Sequence, residues 1–240
     1  MTLILHSGGE AATLADLEAI PVPKHTRSWR PMPYGHMVGY IKDLIDRTIG
    51  APIRKEQYGL NKAGDQMFGA IALDVGDSDQ SLSIGFRSSY NKSLAPAMVA
   101  GSQILVCDNL CLSGNALKLV RKNTTNVWND FRVLAQTHVQ NSLGYYADVK
   151  KDNDRMKALP CAERRGYAML GIAQGEGILT PTQATVAFED WKTPRHEEFA
   201  ERNLWGLYNA VTEGLKKGAP AKRIDRQTKA HDFFQALQGI

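Results

Sequence analysis

The chain has 240 residues, 43% apolar and 22% charged, with a formal net charge of +4. That size and balance suit a folded domain with a substantial core. No apolar run approaches the roughly 18 residues of a membrane span, and the opening MTLILHSGGE lacks the basic segment and apolar length of a signal peptide, so a cytoplasmic protein is expected. Cys107, Cys111 and Cys161 are an odd number and the histidines are scattered singly, so neither disulfides, nor a zinc site, nor any cofactor is expected.

Residues 1–33 read as an arm: Thr13–Ala19 has the makings of a helical turn or two, and Pro21, Pro23, Pro31 and Pro33 then impose extended geometry. A helix is expected from Tyr34–His36 to Ile49, because Met37, Tyr40, Ile41, Leu44, Ile45 and Thr48 recur at helical spacing, with Gly50 placed to end it. An antiparallel meander follows: Ile53–Leu60, a turn at Asn61–Gly64, Gln66–Val75, a turn at Gly76–Asp79, and Ser81–Phe86. Asn91–Ala100 is ambiguous, a short helix over Leu94–Val99 capped by Ser93 being one reading, and Gln103–Cys107 reads as a central strand.

Past Gly114 the pattern turns helical. Long helices are expected over Thr125–Asp148 and Asp152–Gly175, a third after the Thr180–Pro181 cap, and a strong one over Glu197–Leu215. Lys216–Lys229 reads as a basic linker before a closing helix, His231–Leu237. Strands first and helices later make the fold α+β: a meander of about four strands packed by an N-terminal helix, with a helical C-terminal half. The expected divisions are an arm (1–33), an α+β core (34–124) and a helical region (125–240).

The densest polar feature is Arg87–Ser93, flanked by apolar runs. Arg87 and Lys92 suit an anion, Ser88, Ser89, Asn91 and Ser93 supply hydrogen bonds, and Tyr90 suits base stacking. The competing reading is a self-satisfied polar turn. Asp108 and Asn109 end the next strand and read either as support for the cluster, if the two strands are neighbours, or as residues that shape a turn. Basic knots at Lys118, Arg121 and Lys122, and at Lys222, Arg223 and Arg226, permit a polyanionic partner. The aromatics Trp128, Phe131, Trp205 and Tyr208 read as core. Nucleotide-binding loops, the HExxH pair and the GxSxG elbow are all missing, so no catalytic residues are assigned and an enzyme is not expected.

Several segments together carry a family resemblance: Tyr58–Leu60, Gly64, Met67–Gly69, Arg87–Ser93, Val106–Asn109, Ser113–Gly114, Arg121–Thr124 and Leu204–Glu213, with Arg223 and Arg226 beyond. In order and spacing they resemble the phage/plasmid-like family known as domain of unknown function 932, over residues 33–234. Members typically show an R-N-S-H-D-K/G-S cluster, a V-C-x-N strand end and an R-K-H-T-like patch. Here Tyr90 and Asn91 stand where the family has His and Asp, and Asn123 where the patch has His. Those replacements remove acid–base and metal-ligating groups but keep groups that bind. The resemblance implies a mobile-element setting, with a host-cell cytoplasm as location.

By analogy of fold, the layout also suits the Rad52-like single-strand annealing proteins. The leading expectation is a protein that binds single-stranded DNA, in preference to RNA, and promotes annealing in recombination as a homo-oligomer. One alternative is a mobile-element protein that inhibits a host defence system through protein contacts. Another is an enzyme acting on a phosphorylated small molecule.

Overall fold

The computed structural model describes residues 10–76, 80–104, 109–111, 118–120, 123–218 and 220–239, with the backbone alone described at 103–104, 109–111, 118–120 and 220–224. The architecture is α+β, an antiparallel sheet with a helical C-terminal half. The elements are β1 (Glu10–Ala12), α1 (Leu14–Ala19), α2 (Tyr34–Thr48), β2 (Ile53–Leu60), β3 (Gln66–Gly76), β4 (Gln80–Ser89), β5 (Ala97–Ile104), β6 (Asn109–Cys111) and β7 (Lys118–Val120). Then come α3 (Val127–Ala158), α4 (Glu163–Gly175), α5 (Pro181–Lys192), a 3-10 turn (Glu197–Phe199), α6 (Leu204–Leu215) and α7 (Pro220–Leu237). The sheet order is β1-β2-β3-β4-β5-β6, with β7 pairing to β5.

The described residues divide into two compact units. One lies within Met1–Asp77, Ser81–Gly101 and Ala116–Tyr146, the other within Ser78–Gln80, Ser102–Asn115 and Ala147–Ile240. The division falls inside α3.

In the first unit, α2 buries Met37, Val38, Ile41, Leu44 and Ile45 on one stripe, as its spacing dictates, and Gly50 follows it at φ +67°. That stripe shares a core with Leu82, Ile84 and Phe86 of β4 and with Val127, Phe131, Ala135 and Val139 of α3. Gly69 faces Phe86 across the β3–β4 ladder, and a methyl group there would overlap the ring. The arm is better ordered than its prolines imply. Thr13 and Asp16 form a capping box at α1, Leu17 is fully buried, and β1 pairs with β2. Residues 1–9 lie outside the described residues.

Four elements differ from expectation. The ambiguous stretch Asn91–Ala100 enters a strand at Ala97 and not the short helix considered for Leu94–Val99, because Ala97–Gly101 is buried throughout and β7 supplies ladder partners. This strand ends at Ile104, and the rest of the expected Gln103–Cys107 strand lies outside the described residues. The helix expected to end at Asp148 runs on to Ala158, and α4 begins only after Pro160 interrupts the chain. The helix expected from Glu197 starts at Leu204, where the Asn203 side chain accepts a bond from the Gly206 amide. The linker Lys216–Lys229 is largely helical, since α7 opens at Pro220. Gln227, Ala230, His231 and Phe234 then repeat at 3–4 spacing on its buried face.

The second unit packs Trp191, Leu207, Tyr208, Val211 and Phe234 at its centre. Thr180 and Gln183 form the expected capping box of α5. The buried Asp152 carboxylate meets His231 Nε2 at 3.3 Å and accepts from Gln235 Nε2 at 3.1 Å.

Asp190 is 5% exposed, and burial raises its carboxyl above the usual range, against the pull of Arg195 at 3.2 Å. A raised folded pKa favours the protonated form, so the stability it contributes is present at acid pH and lost as pH rises through the folded value. In thermal melts, the stability of the wild type relative to Asp190→Asn should therefore rise as the pH falls from neutrality toward the ordinary Asp range. An unchanged pH profile in that variant would exclude Asp190 as the source.

Candidate nucleic-acid interface

Strand geometry divides the Arg87–Ser93 cluster. Because β4 continues through Ser89, successive side chains alternate between the two faces of the sheet. Ser88 shares the parity of Leu82, Ile84 and Phe86 and turns toward the first core, whereas Arg87 and Ser89 turn to the opposite face. Arg87 is 8% exposed, and burial lowers its guanidinium pKa from the ordinary value. Ser89 Oγ receives the Leu94 amide at 2.9 Å and donates to the Leu94 carbonyl at 3.0 Å, which closes the bend after β4.

Tyr90 is also turned inward. Its ring stacks on Tyr34 with centroids 3.9 Å apart and planes 4° apart. Each tyrosine's hydroxyl oxygen accepts the other's backbone amide at 3.1 Å. Burial raises both phenol pKa values. One face of Tyr90 is thus already covered.

Only Asn91, Lys92 and Ser93 of the cluster are exposed. The Asn91 side-chain oxygen accepts the Ser93 amide at 3.0 Å, a turn that holds Lys92 at φ +65°. Lys92 Nζ then sits 5.0 Å from the centre of the Trp29 ring. Trp29 belongs to the extended arm, whose Lys24, His25 and Arg27 are exposed, and the Arg30 amide ties the arm to the Asn123 carbonyl at 2.9 Å.

A second cation–aromatic grouping lies between α1, α2 and the first turns of α3. Arg132 is 5.9 Å from the Tyr40 ring and 5.7 Å from the Trp128 ring. Together with Glu18, Gly35, His36 and Gly39 they line a recess of about 480 Å³. An adjoining recess of about 300 Å³ shares Glu18, Gly35 and His36 and runs to Tyr34 and Tyr90.

Of the remaining basic candidates, the structure describes the side chain of Arg226 alone. It donates to Gln183 Oε1 at 2.6 Å, bracing the α5 cap. Lys118 and Asn109 are described by backbone only, and the side chains of Lys222 and Arg223 are likewise outside the description. Asp108, Arg121 and Lys122 lie outside the described residues. Among the described residues no group of three His, Cys, Asp or Glu side chains converges to hold a metal, and no helix is long and apolar enough to cross a membrane.

Phe131, Trp205 and Tyr208 are core residues, whereas Trp128 is half-buried on the recess wall. Glu18, His36, Tyr40 and Arg132 were not singled out by the sequence as site residues. The available signal was the pair Gly35 and Gly39 on successive turns of α2, since glycine inside a helix costs about 1 kcal/mol relative to alanine and often marks a close approach. No family model, curated protein or solved structure matches the chain.

Proposed function

We propose that the chain binds single-stranded nucleic acid, DNA in the first instance, and promotes annealing as a homo-oligomer. The observation that carries the binding reading is the open recess where the Arg132 guanidinium lies over Tyr40 and Trp128. Single-strand binders combine cations that follow the backbone with rings on which bases stack, and stacking is worth about 1–3 kcal/mol per base. Arg132 and Lys92 are the exposed cations beside aromatic rings in the first unit, so they are assigned the phosphates. Annealing, oligomerisation and the Rad52-like comparison rest on analogy of fold layout, and the mobile-element setting on the resemblance of the sequence to the phage/plasmid-like family. Annealing needs no fuel, which agrees with the lack of a nucleotide-binding motif.

The test is fluorescence anisotropy with labelled single- and double-stranded oligonucleotides at about 50 and 200 mM salt, the range over which phosphate contacts weaken visibly. Tighter binding to single strands with a steep salt dependence is expected. Lys92→Ala should reduce the salt slope by about one and weaken all sequences alike. Absence of binding at the lower salt would overturn the proposal.

A further inference from the structure

Glu18 stands out in the recess because it is a carboxylate on a wall otherwise made of aromatic, glycine and basic groups. It lines both recesses at their junction. Its stem lies directly on α2: a methyl group on Gly35 would overlap Glu18 Cγ, so the glycine makes room for the side chain. The carboxylate is exposed and has no hydrogen bond or ion pair among the described residues, although Arg132 and His36 line the same recess. Asp16 on the same helix is, by contrast, engaged in the Thr13 cap, so Glu18 is the helix's carboxylate left open to an incoming donor.

We propose that Glu18 reads the edge of a base stacked on the Tyr40–Trp128 wall, so that the protein prefers guanine over thymine and uracil. This inference rests on the nucleic-acid reading above. A carboxylate only accepts hydrogen bonds. Guanine offers it two adjacent donors, the ring N1–H and the 2-amino group, in a bidentate pair. Cytosine and adenine offer one amino group each. Thymine and uracil present a single ring N–H between two carbonyl oxygens, which repel the carboxylate. Single-stranded recognition commonly works in this way, with the base stacked on an aromatic ring and read along its Watson–Crick edge.

The experiment compares a thymidine-only oligonucleotide with the same oligonucleotide carrying interspersed guanines, each titrated by anisotropy against the wild type and Glu18→Gln. The wild type should prefer the guanine-bearing strand by about tenfold, the scale of one good bidentate pair. In Glu18→Gln that ratio should collapse toward one, while affinity for the thymidine strand holds or rises as a negative charge leaves the recess. Equal melting temperatures of the two proteins show that the fold is retained, as expected for an exposed side chain. Equal wild-type affinity for the two strands, or a ratio that survives in Glu18→Gln, would overturn the base-reading role and leave nucleic-acid binding standing. If neither strand binds at low salt, the broader reading falls with it.

Discussion

Glu213→Ala should cost the second unit about 3–5 kcal/mol, enough to unfold a marginally stable domain. Glu213 accepts from Lys216 Nζ and from Arg195 Nη1, both at 2.6 Å. The Lys216 and Glu213 side chains are 7% and 10% exposed, so truncating the carboxylate removes a buried counter-charge 2.6 Å from the ammonium. That asymmetry separates this pair from the surface pairs Arg47–Asp43 and Lys150–Asp154, whose exposed partners contribute at most about 1 kcal/mol. Urea unfolding followed by circular dichroism measures the loss. The double variant Glu213→Leu with Lys216→Met should recover most of it, since apolar replacement of a buried pair is often neutral or stabilising. A Glu213→Ala loss below about 1 kcal/mol would show that water reaches Lys216 and that the pair is not buried in solution.

Closing the recess should abolish most single-strand binding without harming the fold. A side chain on Gly39 meets open space, with no atom within 4 Å of a Cβ placed there. Glutamate is also a better helix former than glycine by several tenths of a kcal/mol, so Gly39→Glu should fold at least as well as the wild type. It places a carboxylate beside Tyr40 and Arg132, where a strand would bring phosphates. We expect its affinity to fall by about tenfold or more. Trp128→Ala should cause a loss of similar size through removal of a stacking surface, about 1–3 kcal/mol. Anisotropy at low salt reads both, with melting temperature as the control for folding. Wild-type binding by both variants would place the interface elsewhere on the molecule.

The elements built by local rules were legible in the sequence. The apolar stripe of α2, its terminal glycine, the β2–β3 hairpin and the Thr180–Gln183 cap all follow from spacing and short-range chemistry. What the sequence could not show was which side of an element each residue would take once the element's length changed. The polar run Arg87–Ser93 reads as one patch. Extension of β4 to Ser89 sends its members to two faces and a tip, because strand side chains alternate.

The same holds for the recess. Glu18, Tyr40 and Arg132 are far apart in the chain, and no local pattern marks them as neighbours. Only the packing of α1 and α3 against α2 brings them together, with Gly35 leaving room for the approach. Composition and spacing determined the fold class and most of the elements. Tertiary packing decided which polar groups are buried and which cations stand beside aromatic rings, because burial is a property of faces that meet and not of residues in order.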